Sequence, residues 1–275
     1  MRDLYDIHCH ILPGVDDGAK DMDITPTACV TLLIDSIKRL QSLFEICRQY
    51  QREQKGQYKD MDMALSMIEK EIDAGVETII LTPHFRKEMF EPDMEDIWSA
   101  YDTLVDETRN RNIRLYLGCE FHANMEMVET LDRDFRPTLA DSRYVLTEFS
   151  SSSTRAFIKE RADALLTAGY YPIIAHIERY RALRKDFDFI ADLIEMGCEM
   201  QVNADAVIGR NGLGAQRFCK KLMQEDMLHY VASDAHNLRG RASHMEECCE
   251  YLKKHMGRLY TSRIMRDNPS KIVET

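Results

Sequence analysis

Along most of the chain, short runs of apolar and β-branched residues alternate with longer stretches in which apolar positions recur every three or four residues. The first pattern marks strands and the second marks helices. Leu4 to His10 (LYDIHCH) opens the series as a strand. Met61 to Ala74 reads as a helix closed by Gly75, and Val76 to Thr82 (VETIILT) as a strand ended by Pro83-His84. Residues 93–111 form a helix, Ile113 to Phe121 (IRLYLGCEF) a strand, and Tyr144 to Phe149 another. Thr154 to Ala168 is a helix stopped at Gly169, and Tyr170 to His176 a strand. Phe187 to Met196 is a helix stopped at Gly197, and Cys198 to Asn203 a strand. Leu213 to Asp226 is helical, His229 to Asp234 is the last strand, and Ala242 to His255 is a closing helix.

That makes seven strands, most of them separated by a helix. Such spacing requires parallel pairing through right-handed crossovers. The pattern predicts an α/β barrel, closed or nearly so, rather than an open doubly wound sheet, because no GxGxxG follows the first strand. One region breaks the rhythm. Over residues 23–60, Leu33, Ile37, Leu40, Phe44 and Cys47 recur at helical spacing and lead into the polar stretch Gln49 to Lys59. We expect a helical insertion there, after the first strand, packed on the barrel's flank or on a partner. With no internal repeat or low-complexity tract, residues 1–275 read as one domain.

Composition narrows the class. A hydrophobic share of 44% excludes a wholly disordered chain. No apolar run approaches the ~18 residues needed to cross a membrane. Met1-Arg2-Asp3 leads straight into the first strand without the apolar core of a signal peptide, so a cytoplasmic location is expected. The net charge of −11 argues against a nucleic-acid partner. The eight cysteines include no CxxC pair, which favours reduced, buried thiols. None has an arginine six positions on, so a thiol phosphatase loop of the C-x5-R type is absent.

The candidate chemistry gathers at strand ends. In the first strand His8 and His10 share a face, with Cys9 opposite. His84 ends the second strand, Glu120 the third, His176 the fifth, and Asp234 with His236 the last. In a parallel barrel those ends meet on one face, where active sites are built. Together with the Asp16-Asp17 pair, this set exceeds what one tetrahedral zinc needs. Two or three divalent ions are implied, with Mn, Fe or Zn suited to mixed imidazole and carboxylate ligands. Ions about 4 Å apart can share and acidify a water, and can stabilise both attacking and leaving oxygens of a phosphoryl transfer. Arg179 and Arg241 lie close in sequence to these residues and carry guanidinium forks that match phosphate oxygens, with Arg239 behind them. His122, His229, His244 and His255 are read as structural.

The runs DIHCHILPGVDDGAK, TPHF, GCEF, IAHIERY and SDAHNLRGR, in that order, resemble the polymerase and histidinol phosphatase (PHP) family. Within it they are most similar to the metal-dependent tyrosine-protein phosphatases of bacterial capsule and exopolysaccharide systems. The likeness covers nearly the whole chain except residues 23–60. It implies a distorted seven-stranded barrel, three metals (usually Mn), and phosphotyrosine on the tail of a tyrosine autokinase as substrate. It also implies His8, His10, Asp17, His84, Glu120, His176, Asp234 and His236 as ligands, selecting Asp17 over Asp16, with Arg179 and Arg241 near the phosphate. Relatives often self-associate, so a homo-oligomer is a further implication. Phe85 departs from the pattern, standing where relatives often carry a second histidine. Two other readings fit the residues: a small-molecule phosphoesterase such as a histidinol-phosphate phosphatase, and a non-catalytic regulatory or interaction protein.

Overall fold

The computed structural model describes residues 2–19, 60–133 and 135–274. The helix expected within residues 23–60 lies outside them, apart from Asp60, the first described residue of helix α1, which is described over 60–73. The strands are β1 (Leu4–Cys9), β2 (Val76–Leu81), β3 (His84–Phe85), β4 (Arg114–Leu117), β5 (Glu120–His122), β6 (Tyr144–Glu148), β7 (Tyr171–Ile174), β8 (Glu199–Asn203) and β9 (Tyr230–Ala232). Between and after them run α2 (Met94–Thr108), α3 (Met127–Asp132), α4 (Arg155–Thr167), α5 (Phe187–Met196), α6 (Ala204–Ile208), α7 (Leu213–Gln224), α8 (Met245–Met256), α9 (Arg258–Ser262) and α10 (Asn268–Val273).

Every strand pairing is parallel, in the orders β1-β2-β4 and β3-β5-β6-β7-β8-β9. The long sheet curls until the chain beyond β9 meets β1. There the Asp234 N–H donates to the His8 carbonyl (2.8 Å) and the His10 N–H to the Ala235 carbonyl (2.8 Å). The result is an α/β fold whose parallel strands form a distorted, partly open barrel.

One of the seven expected strands is broken in two, and another is followed, past Thr82-Pro83, by a short strand that the sequence did not predict. Ile113 to Phe121 does not run through: it stops after Leu117 and resumes at Glu120 in the other sheet. A Cβ on Gly118 would lie 2.7 Å from Leu139 Cδ2 and 3.1 Å from Ile80 Cγ2, so the backbone can press onto Leu139 only without a side chain. The second strand ends at Thr82-Pro83, and His84 opens the separate strand β3, in register with Glu120. Proline cannot donate to the ladder, which suits it to that step.

Side-chain alternation sorts the core into two layers. Tyr5, Ile7, Ile80, Leu146, Ile173, Tyr230 and Ala232 form one buried cluster inside the barrel, joined by Ile272 of α10. The intervening Leu4, Ile79, Leu81, Val145, Ile174 and Val231 join a larger cluster with helix residues such as Leu104, Ile158, Ile190, Leu222 and Leu252. Ile272 packs where the strands begin, so α10 closes that end of the barrel. Helices α9 and α10 lie beyond His255, where the expected elements stopped.

The described cysteines are all buried and unpaired, and burial pushes the Cys119 and Cys219 thiols well up. No helix among the described residues is long and apolar enough to cross a membrane.

Candidate metal centre

Following the inward-facing positions toward the C-terminal ends of the strands, side chains change from apolar to ionisable. On β6, Leu146 is succeeded on the same face by Glu148; past β9, Ala232 is succeeded by Asp234. On β8 the inward positions are Gln201 and Asn203, between Met200 and Val202 of the outer layer. His176 and Asp234 leave their strands in left-handed backbone (φ 32° and 52°). That conformation costs a non-glycine residue on the order of 1 kcal/mol or more and is kept where the surroundings impose it. A turn brings Asp16 and Asp17 back over β1. Gly18 makes this possible, since a Cβ there would fall 1.9 Å from the His10 carbonyl oxygen.

Every residue expected from the sequence as a ligand enters one cluster. Glu120 sits at its middle: Oε1 is 2.8 Å from His176 Nε2 and 3.3 Å from His8 Nε2, while Oε2 is 2.7 Å from His84 Nδ1 and 3.2 Å from His10 Nε2. Asp234 Oδ1 lies 3.6 Å from the Nε2 atoms of both His8 and His10 and 3.6 Å from His236 Nδ1. Asp17 Oδ1 is 3.4 Å from His84 Nε2 and 3.4 Å from His236 Nε2. At the rim, Arg179 ion-pairs with Asp234 Oδ2, and Arg241 reaches Asp234 Oδ1 (3.2 Å) and Asp17 Oδ2 (3.5 Å). Arg239 makes no ion pair among the described residues.

The charges are strongly coupled. Burial alone would raise the Glu120 carboxyl, but His8 and His84 hold it well below the usual range. Asp234 is held down against its own burial by His8 and Arg179, and Asp17 by His236 and His84. Burial and the neighbouring His84 work to lower His10, yet Asp16 and Glu120 bring it up to about 9. Against the same burial, Glu120 and Asp17 lift His84 to about 11. His176 is driven down to about 4 by burial and Arg179, and His236 to about 4 by burial and His10.

The donor set fits divalent cations. His8 Nε2 and His10 Nε2 face each other at 3.3 Å, an approach that needs a proton or a cation between two lone pairs. Glu120 Oε2 and His236 Nε2 are buried and sit close to imidazole and carboxylate neighbours without a well-aligned hydrogen bond to any of them. Among the described residues, three groups have ligand atoms all within 4.8 Å of one another: His8, His10 and Glu120; His10, Asp17, His84 and His236; and His84, Glu120 and Glu148. Nitrogen and oxygen donors with no thiolate match Mn, Fe or Zn. Because imidazole ligands must be neutral, divalent cations bound here would compete with protons at His10 and His84.

Sequence reasoning missed several contributors. Glu148 stands 3.7 Å from His176 Nε2, pushed up to about 7 by burial and by Glu120. Its signal was available, since it ends a strand like the others. Asp16 does not join Asp17. It is buried, accepts from His10 Nδ1 (2.7 Å), the His84 N–H (3.0 Å) and the Gly18 N–H (3.0 Å), and so fixes the His10 ring. Gln201 Oε1 accepts from the His176 N–H (2.6 Å) and lies 3.4 Å from His8 Nδ1. Its Nε2 donates to Asn203 Oδ1 (3.0 Å), whose Nδ2 donates to Asp234 Oδ2 (2.8 Å). Tyr180 OH sits 3.1 Å from His176 Nδ1. The remaining histidines stay outside: His122 beside Ser150, His229 beside the Met200 N–H, His244 beside Asp205, and His255 against Tyr251.

The chain is similar to known proteins along nearly its whole length. The tyrosine-protein phosphatase CpsB of Streptococcus pneumoniae is 31% identical over 98% of this chain and 98% of its own. A solved structure from the pair YwqE of Bacillus subtilis and CpsB of Streptococcus pneumoniae, described as unique metal-dependent tyrosine phosphatases, superposes with a TM-score of 0.79 at 25% identity, covering 98% of this chain and 94% of that one. The phosphotriesterase of Mycobacterium tuberculosis shares the fold at a TM-score of 0.58, with 11% identity over 99% of this chain and 94% of its own. The family model for capsular polysaccharide synthesis proteins, CpsB/CapC, matches residues 4–40 and 56–274, and the chain belongs to that family.

Proposed function

We infer that the chain hydrolyses phosphotyrosine on proteins with the help of divalent metal ions. The observation that carries this reading is the convergence of five imidazoles and four carboxylates in one mouth, with two arginines at its rim. Its relatives named as tyrosine-protein phosphatases supply the substrate class. In this reading His8, His10, Asp17, His84, Glu120, His176, Asp234 and His236 hold three ions, with manganese the expected metal, and Glu148 joins them. Bound ions would supply positive charge to the phosphoryl oxygens and make a water acidic enough to attack near neutral pH. Glu120, in reach of four imidazoles, keeps neighbouring positions close together. Asp16, Gln201 and Tyr180 set the orientation of His10, His8 and His176.

Arg179 and Arg241 bind the phosphate. Each now leans on Asp234, and each has a side chain about two-fifths exposed at the rim, where it can turn to a substrate oxygen. Their fixed charge is aimed at the anion that grows in the transition state. The substrate is the tyrosine-phosphorylated tail of a tyrosine autokinase that governs capsule or exopolysaccharide synthesis.

The test is phosphate release from a phosphotyrosine peptide, with histidinol phosphate as the competing substrate. Turnover should vanish with chelator and return with Mn. Arg179→Ala should lower kcat/KM by about 100-fold. Chelator-insensitive turnover would remove the metal from the reaction, and a preference for histidinol phosphate would replace the substrate.

A further inference from the structure

A second charged feature lies beside the metal centre and takes no part in it. A groove of about 580 Å³ runs between the turn after Tyr180 and helix α7. Arg181, Arg184, Lys185, Arg217 and Lys221 line it, with Phe187 on its floor and no acidic residue among its walls. On a chain of net charge −11 this is a local reversal of sign. None of the five cations has an ion-pair partner among the described residues. Several arginines elsewhere are paired, Arg111 with Glu69, Arg133 with Glu129, Arg210 with Glu247 and Arg263 with Asp226, and those that are not, such as Arg109, Arg143 and Arg258, do not share a groove with four other cations. The acid in the turn itself, Asp186, is already engaged by Arg155 and by the Phe189 N–H (3.0 Å).

The groove is built rather than incidental. Arg217 and Lys221 are one helical turn apart and so share a face of α7. Lys221 Nζ is held 3.8 Å from the centre of the Phe187 ring. The Arg184 guanidinium lies over the first turn of α7, 3.1 Å from where a Cβ on Gly214 would stand. That turn has no acidic residue and no capping side chain, so the helix dipole adds to the positive field. Five like charges held together without counter-charge repel one another, and an anion relieves them.

Position indicates which anion. Arg181 follows the phosphate-binding Arg179 by two residues, which puts their Cα atoms within about 7.6 Å. The intervening Tyr180 is buried against His176, and the Arg184 N–H donates to its carbonyl (3.1 Å), so the groove is tied to the metal centre. We propose that this groove binds the acidic flank of the phosphoprotein substrate, taking carboxylate-bearing residues next to the phosphotyrosine while the phosphate sits in the metal centre. The inference rests on the phosphotyrosine reading for the identity of its ligand.

The test uses full-length protein with Mn and phosphotyrosine peptides that differ only in carrying Glu, Gln or Lys on both flanks. The Glu peptide should exceed the Gln peptide by about tenfold in kcat/KM, mainly through KM, and high salt should erase the difference. The Lys peptide should be slowest, a comparison that needs no variant. The triple variant R184Q/R217Q/K221Q should process the Gln peptide like the wild type and lose the preference for Glu. Equal kcat/KM on all three peptides, or a preference retained by the variant, overturns the proposal. A separate arm measures fluorescence anisotropy of the Glu peptide without phosphate. If no peptide is turned over but this binding persists and needs the three cations, the groove stands and the phosphatase reading fails. Binding to phosphatidylglycerol vesicles through the same cations, with no binding of the peptide, would assign the groove to a membrane surface and overturn the peptide proposal.

Discussion

The two ends of the same strands are built on opposite terms. Where the strands begin, the inward positions are Tyr5, Ile7, Ile173 and Tyr230, sealed by Ile272, all buried and apolar apart from the tyrosine hydroxyls. Where they finish, the same faces carry buried Glu120 and Asp234 and partly buried Glu148, and a register shift in β1 after Asp6 brings the buried His8 in beside them. The first end gains roughly 25 cal/mol for each Å² of apolar surface removed from water. The second spends stability on desolvated charge and on left-handed His176 and Asp234. Damage at one end should therefore leave the other readable.

The largest effect belongs to Glu120→Gln. This substitution removes the charge that four imidazoles share, so metal content and phosphotyrosine turnover should both fall, turnover by more than about 100-fold. The metal-free protein should still melt within a few degrees of the wild type, because His10 and His84 can release their protons once the carboxylate is gone. Metal analysis and calorimetry on one preparation decide it. Unfolding of the metal-free variant would mean that the centre, not the apolar end, holds the barrel together.

Much of this division was legible before the structure, for a physical reason. Strand ends are marked by the switch from apolar alternation to Pro, Gly and polar residues, and His84, Glu120, His176 and Asp234 fall on those switches. Residues chosen on that rule meet in space. What stayed hidden depends on tertiary packing. The run IRLYLGCEF has the composition of one strand, and only Leu139, distant in sequence, forces the break at Gly118. Asp16 and Asp17 are chemically identical neighbours, and the turn around Gly18 decides that one grips His10 while the other faces His84 and His236. The segment from α9 to α10 lacks a single apolar stripe: Leu259 of α9 is exposed, while Ile264, in the π-helical turn Arg263–Asp267 between the two helices, and Ile272 of α10 are buried. Gln201 and Asn203 were overlooked because neutral amides carry no ligand signal, although their spacing on β8 puts them on one face.

A smaller effect probes the sealed end. Ile272→Ala opens a cavity among Tyr5, Ile7 and Tyr230 and should cost about 2–5 kcal/mol, read as a shift in the urea midpoint. Below its new melting temperature the variant should bind the same number of ions and keep kcat within a few fold. Loss of metal in the folded variant would show that the two ends are mechanically linked, and the contrast between them would have to be abandoned.

The smallest expected effect is a pH dependence located at the sealed end rather than at the charged one. His229 immediately precedes β9, where its Nδ1 accepts the Met200 N–H (3.1 Å) and its carbonyl accepts from Asn268 of α10 (3.0 Å). Burial, reinforced by Arg263 and Lys271 against the opposing Asp226, lowers the ring from its usual 6.5 to about 4. The unfolded chain therefore binds this proton below about pH 6.5 and the folded chain only near pH 4, so the neutral ring's contribution is complete above 6.5 and is lost as pH falls toward 4. The full linkage would approach 3 kcal/mol, but part of the ring is in water, and about 1–2 kcal/mol is the expected share. His229→Gln removes the titration while keeping an acceptor. Its stability deficit relative to the wild type should therefore be larger at pH 7.5 than at pH 4.5 by about that amount, measured by urea unfolding of metal-free protein. A deficit independent of pH would mean that the ring titrates alike in both states, leaving acid sensitivity to the carboxylates and imidazoles of the opposite end.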